Sequence, residues 1–314
     1  MAVADILTLT MNPALDLATS TASVSDTHKL RCSAPLRFPG GGGINVARVL
    51  QRLGADCLAL YPVGGLQGQQ LRQLLDGEQV RSRCVEIAGE TRESFSVLET
   101  SSGREFRFVL PGPTLAPAEW QACLDRFAAL ETPPRTLVAS GSLPPGVPTD
   151  FYARLVRLAR ARGTRVVLDT SGPALAEALK EGVYLVKPSL RELRELTGQP
   201  LTDEAQWRAA AQQLVASGQA EVVALSLGEQ GALLVTADKT WRAPALAQPV
   251  LSATGAGDSF VGAMVWALSR QAGLAEAFRY GVAAGSAALL SAGTGLCSKA
   301  DVERLYADVC LNLV

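Results

Sequence analysis

Short runs suited to strands alternate with longer runs of helical period along most of the chain. Residues 5–10, 56–61, 80–85, 136–140, 165–169, 183–186 and 221–225 read as short strands. Between them, residues 44–53, 66–76, 117–130, 149–162, 173–180, 190–196 and 204–217 recur in apolar character at the three-to-four spacing of one helix face. Three more helical stretches, 256–270, 274–290 and 299–311, close the chain. This alternation predicts an α/β fold: a mainly parallel sheet with helices on both faces. Two segments break the rhythm. Residues 17–39 are rich in Ser and Thr and lack helical period, so they read as extended pieces outside the core layers. Residues 91–98 and 104–110 alternate apolar and polar positions around Thr100-Ser101-Ser102-Gly103, the mark of a hairpin. Residues 91–110 are therefore expected to form an inserted β flap. A further strand pair is expected at 232–236 and 240–243.

Composition narrows the function classes. With 314 residues, 48% of them hydrophobic, the chain can bury a large core. Lys and Arg total 29 against 30 Asp and Glu. No basic excess speaks for nucleic acid or an anionic membrane surface, so neither is an expected partner. No basic-then-apolar leader opens the sequence and no apolar run reaches membrane-spanning length. The six cysteines are scattered without zinc-type or C-x-x-C spacing, as expected for reduced thiols in a cytoplasmic protein. A single histidine, His28, argues against a Ser-His-Asp triad or a multi-histidine metal site.

Two glycine-rich stretches carry the candidate chemistry. Gly40-Gly41-Gly42-Gly43 runs into the amphipathic segment that begins Ile44-Asn45-Val46-Ala47-Arg48, which suits close approach of backbone to a ligand better than a linker. It matches neither a dinucleotide fingerprint nor a P-loop. Ser252-Ala253-Thr254-Gly255-Ala256-Gly257-Asp258 leads into the helix of 256–270. A helix N-terminus directs free N–H groups and a positive dipole end at an anion. Asp258 is there either an ordinary first-turn carboxylate or a general base beside an oxyanion cradle. Residues 11–16 read as a turn out of the sheet, and Asp16 within it lies just past a strand end, where open α/β sheets bind ligands, and equally suits an Asx turn. Lys29 and Arg92, taken alone, read as surface charges.

The pair PGGGGINVAR and SATGAGDSFVGA, in this order and spacing, resembles the two signatures of the ribokinase-like, or phosphofructokinase-B, sugar kinases. TLTMNPALD, the flap, GSLPPG, LVKPS and SLGEQGAL fall where the family places their counterparts, so the resemblance spans essentially the whole chain. KLRC followed by PGGGGINVAR is most similar to members that take fructose 6-phosphate. The resemblance implies transfer of the ATP γ-phosphoryl group to the 1-hydroxyl of that sugar phosphate. Tagatose 6-phosphate or fructose 1-phosphate is the alternative acceptor, and a sugar-phosphate sensor on the same fold is the non-enzymatic one. By the same resemblance Asp258 is the base, and Gly255, Ala256 and Gly257 form the anion hole. Asp16, Gly41, Gly42, Gly43 and Asn45 hold the sugar, and Lys29 and Arg92 hold its phosphate. Lys187, Ser189, Glu192, Ser226, Gly228 and Gly231 face the nucleotide. ATP and Mg²⁺ are the implied cofactors, together with K⁺ in a loop of Ser252, Thr254, Ala288, Ser291 and Gly293. The resemblance also implies a single, doubly wound α/β domain over residues 1–314, with a small inserted β lid formed by about 17–39 and 91–110, and homodimerisation through that lid. Relatives usually carry Asn at the positions of Ser189 and Ser94, and some carry a basic residue where this chain has Gly295.

Overall fold

The computed structural model describes residues 4–26 and 28–314. Strand β1 (Ile6–Leu9) leads into β2 (Ala14–Thr21) and β3 (Leu36–Gly40), and α1 (Gly42–Arg52) follows. Next come β4 (Cys57–Val63), α2 (Gly65–Gly77), β5 (Ser82–Glu86), β6 (Arg92–Glu99) and β7 (Arg104–Val109). The regular βα course resumes with α3 (Pro117–Ala128), β8 (Thr136–Ser140), α4 (Phe151–Ala161), β9 (Arg165–Asp169), α5 (Gly172–Leu179) and β10 (Val183–Val186). Helices α6 (Leu190–Thr197) and α7 (Glu204–Ala216) precede β11 (Ala220–Ser226), β12 (Ala232–Val235) and β13 (Thr240–Ala243). The chain ends in α8 (Ala256–Ser269), α9 (Leu274–Ala288), α10 (Lys299–Tyr306) and the short β14 (Asn312–Leu313).

The larger sheet has ten strands in the order β14-β13-β12-β11-β10-β9-β8-β1-β4-β5. From β11 to β5 every neighbour is parallel, while β12, β13 and β14 extend the sheet antiparallel. Successive strand residues bury into opposite cores. Ile6, Val138 and Val167 pack with α1, α8 and α9, whereas Leu7, Leu137 and Leu168 pack with α4, α5 and α7. Strands buried on both faces account for their near-continuous apolar sequences. Strand β1 pairs with β8 on one side and β4 on the other, so the course of the chain reverses there. The crevice beyond the carboxyl ends of strands at such a reversal is the usual ligand position. Asn12, after β1, donates through Nδ2 to Ser142 Oγ, after β8, at 3.1 Å across this point.

The second sheet, β3-β2-β6-β7, stands apart from the core. Its β6–β7 hairpin falls where the alternation placed one, and its partner strands β2 and β3 flank the segment read as extended. The structure corrects one detail. Residues 11–16 are not a turn, because β2 already begins at Ala14. Asp16 is paired with Phe38 on β3 and Ser94 on β6 and makes no Asx turn. Two neighbouring strands supply a ladder that local sequence cannot announce. Helix α10 also stops at Tyr306, short of the expected 311, and residues 312–313 add to the β13 edge.

Candidate active site

Asp258 lies in the first turn of α8. Gly255 caps that helix at φ 79°, a conformation that favours glycine, and a Cβ there would come within 2.4 Å of the Leu296 side chain. No side-chain cap occupies the end of this 14-residue helix, and the Ala256 N–H makes only a long 3.4 Å bond to the Ala253 carbonyl, so the N-terminus can turn to an anion. Lys187, directly after β10, reaches the same turn: a Cβ placed on Gly257 would lie 3.5 Å from its Nζ. Helix end and ammonium together form a compact cationic cradle in a chain without general basic excess.

The charges here are wholly or partly buried and coupled. Lys187 Nζ lies 3.1 Å from Oδ1 of Asp169, the last residue of β9. Burial works against the Lys187 charge, but the Asp169 and Glu192 carboxylates outweigh it and hold its pKa up. Burial pushes the Asp258 carboxyl up to about 7, and the Asp169 charge adds to the rise. Asn45 and Lys187 oppose that rise. Asn45, on α1, donates from Nδ2 to Asp258 Oδ2 at 2.9 Å across 213 residues of sequence. The glycine run enters α1 through Gly41 at φ 111°, and Gly42 and Gly43 are already helical. Cβ atoms on these two would strike Ser140 and Thr10, so the run brings the α1 end hard against the crevice above β1 and β8.

Asp16 faces the cavity between lid and core, which Ser94, Arg107, Thr254 and Thr294 also line. Thr294 donates from Oγ1 to Asp16 Oδ2 at 3.1 Å. Burial raises the Asp16 carboxyl, against the pull of Thr294, Arg92, Arg48 and Arg107. Arg92 is not a free surface charge. Its guanidinium donates to the carbonyls of Leu110 and Asn12, both at 3.0 Å, and ties the lid hairpin to the loop after β1. Lys29 is exposed between β2 and β3, and among the described residues no hydrogen bond or ion pair ties it to Asp16 or Arg92.

Ser189 and Glu192 close a capping box on α6, each side chain accepting from the other's backbone N–H at 3.3 and 2.7 Å. Ser189 also bridges Ser226, which ends β11, and Gly228 and Gly231 bound the single 3₁₀ turn that follows. These loops sit side by side after adjacent parallel strands. The Ser252–Gly293 group is partly committed to internal bonds. Ser252 Oγ donates to the Glu105 carboxylate at 2.9 Å and accepts from the Thr254 N–H. The Ala288 carbonyl accepts from the Ser291 N–H, Ser291 Oγ donates to Leu296, and Gly293 turns at φ 53° beneath Ala18 and Phe38 of the lid. Backbone carbonyls and hydroxyls are the donors a hard cation takes. Among the described residues there is no cluster of three or more His, Cys, Asp or Glu side chains that could hold a metal.

Asp169, Thr294, Arg107 and Glu105 escaped the sequence reading. Asp169 had a usable signal: a carboxylate closing a strand at its C-terminal end, as the family pattern places Asp16. The others come from the lid or the final loop, and only packing brings them here.

Comparison with known proteins agrees with this geometry. The pfkB family carbohydrate kinase model matches residues 9–301. The chain is 48% identical to an ATP-dependent 6-phosphofructokinase isozyme 2 of Mycobacterium tuberculosis over 96% of its own length and 88% of the relative. It is 44% identical to the isozyme 2 of Escherichia coli, covering 96% of this chain and 98% of that one. The crystal structure of Escherichia coli phosphofructokinase-2 in complex with substrates and products superposes with a TM-score of 0.93 at 44% identity, over 96% of this chain and 98% of that one. A glycine-opened helix carrying Asp258, a buried Lys187 and a four-stranded lid over Asp16 thus accompany a match across nearly the whole sequence, and the chain belongs to the pfkB family of carbohydrate kinases.

Proposed function

We infer that the chain is an ATP-dependent 6-phosphofructokinase, transferring the γ-phosphoryl group of ATP to the 1-hydroxyl of fructose 6-phosphate. One observation carries the reading: a partly buried carboxylate, Asp258, sits in a helix N-terminus without a side-chain cap, beside Lys187, with an amide donor fixing one of its oxygens. Asp258 accepts the proton of the attacking hydroxyl as the oxygen–phosphorus bond forms. The N–H groups of Gly255, Ala256 and Gly257, with Lys187, receive the charge that develops on the transferred group. Asp16 and Asn45, with the backbone of Gly41, Gly42 and Gly43, orient the sugar. Lys29 and Arg92 take its phosphate, Arg92 from a position already fixed by two carbonyls.

The loops at Lys187–Glu192 and Ser226–Gly231 take the nucleotide. Mg²⁺ bound with ATP shields the phosphate charge, with few direct protein ligands. A monovalent cation held by the carbonyls around Ala288 and Gly293, near Ser252 and Thr254, stabilises the anion loop. The donor chemistry fits K⁺, although the Ser252 hydroxyl is already committed to Glu105. The Escherichia coli protein has been crystallised in complex with potassium, and in a tetrameric inhibited form. For this chain we assign a homodimer through the outer lid face, where Phe95 and Phe108 stack at 4.8 Å while 38% and 46% exposed.

The deciding experiment measures ADP release with fructose 6-phosphate, tagatose 6-phosphate, fructose 1-phosphate and fructose, for wild type and Asp258→Asn. Preference for fructose 6-phosphate with a loss of about 10³-fold in the variant is expected. Preference for another acceptor refutes the assignment of sugar but keeps the chemistry. No turnover with any acceptor refutes the kinase reading.

A further inference from the structure

Among the described residues Arg48 is the largest with a side chain fully buried from solvent, and nothing in the reaction above uses it. Its Nη1 donates to Asn45 Oδ1 at 3.3 Å, to the Pro39 carbonyl at 3.0 Å and to the Thr294 carbonyl at 3.0 Å. Its Nε lies 3.0 Å from both Glu78 oxygens, and Nη2 lies 2.7 Å from Glu78 Oε1. Two of its partners touch the site from opposite sides. Asn45 donates to Asp258, and Thr294 donates to Asp16. The third, Pro39, precedes the glycine run.

A guanidinium has donors and no acceptor. Against Arg48, Asn45 must present its carbonyl oxygen, which leaves its NH₂ for Asp258. The reversed amide would set N–H against N–H at one end and oxygen against carboxylate at the other. Arg48 therefore dictates the orientation of an amide that could otherwise turn over. Glu78, on the outer side, supplies the countercharge that lets a guanidinium remain charged in the core.

We propose that Arg48 is a positioning residue that fixes the Asn45 amide against Asp258 and the Thr294 segment against Asp16, so that base and sugar-binding carboxylate are set by one buried group. The proposal rests on the reading of Asp258 as the base. The groups acting on Asp258 are Asp169 and Lys187 from the core strands, Asp16 from the lid and Asn45 from α1. Of these, the Asn45 donor favours the ionised carboxylate and is the one Arg48 controls.

Arg48→Lys keeps the charge for Glu78, but a single ammonium cannot serve Asn45, Pro39, Thr294 and Glu78 together. Expected for this variant is a fall in kcat of about 10-fold, a smaller change in KM for the sugar phosphate, and an acidic limb of the pH–rate profile moved to higher pH. Asn45→Ala is expected to move that limb in the same direction, and Arg48→Lys in the Asn45→Ala background to move it no further. Independently of turnover, the side-chain NH₂ resonances of Asn45 are expected to shift or broaden in Arg48→Lys. An unmoved acidic limb, shifts that add in the double variant, or unchanged Asn45 resonances would each overturn the proposal. Should Arg48→Lys fail to fold, Glu78→Gln loosens the same guanidinium from outside the site and carries the same readouts. Wild type inactive on every acceptor would defeat the kinase reading, while the resonances would still decide whether Arg48 sets the amide.

Discussion

Asp258 has to be a carboxylate to accept a proton, yet its surroundings favour the acid. Burial raises its pKa to about 7, and Asp169 adds to that rise, while Asn45 and Lys187 restrain it. As the proposed base, Asp258 acts in its deprotonated form above that value, and kcat/KM is expected to rise with pH through an acidic limb near 7. A pH–rate profile measured at low fructose 6-phosphate checks this, and a flat rate down to pH 5 would remove Asp258 from the role. Lys187 and Asp169 illustrate the same coupling. Lys187 is buried and Asp169 nearly so, and each charge is tolerable because the other lies 3.1 Å away.

At the level of elements, the lid and the catalytic helix are joined through a side chain. Glu105 lies on the inner face of β7, paired across from Leu98, and its carboxylate accepts from Ser252 Oγ at 2.9 Å. Ser252 in turn accepts from the Thr254 N–H at 3.0 Å, one residue before the Gly255 cap of α8. The lid is thus hydrogen-bonded to the loop proposed to carry the anion hole. Glu105→Ala is expected to increase amide exchange at Thr254–Gly257 and to lower kcat about 3- to 10-fold, through loss of the charge-assisted hydrogen bonds from the Ser252 and Thr254 hydroxyls. Hydrogen exchange with mass detection would show it, and unchanged exchange in that segment would refute the coupling.

Two consequences belong to the whole molecule. The outer lid face carries Leu17, Phe95 and Phe108 across three neighbouring strands. Phe108→Asp is expected to convert the assigned dimer to monomer, read by light scattering. An unchanged mass would place the interface elsewhere. The second consequence concerns stability. The Asp258 pKa is raised on folding from an ordinary 3.8 to about 7. The native state therefore holds this proton more tightly than the unfolded chain, and the associated stability, present in full below pH 4, is lost as pH rises towards 7. Asp258→Asn removes the titration, so its Tm should exceed that of wild type by a margin that grows from pH 5 to pH 8. The margin corresponds to a few kcal/mol at most. A margin independent of pH would contradict the buried, titrating carboxylate.

The sequence by itself determined the layers and the approximate place of each strand and helix in the core, because burial on both sheet faces and on one helix face leaves a periodic apolar record. It also marked the two glycine-rich helix entries, since backbone approach at Gly42 and the left-handed cap at Gly255 admit little else. What only the tertiary structure decided were the contacts between distant segments. Asn45 meets Asp258 across 213 residues, Thr294 meets Asp16 across 278, and Glu105 meets Ser252 across 147. Asp16 itself was misplaced in a turn, because its strand is stabilised by partners on β3 and β6 rather than by its own neighbours. Arg48 reads in sequence as one more charge on a helix. Its burial, and its grip on both sides of the site, follow from the packing of α1 against the final loop and the lid.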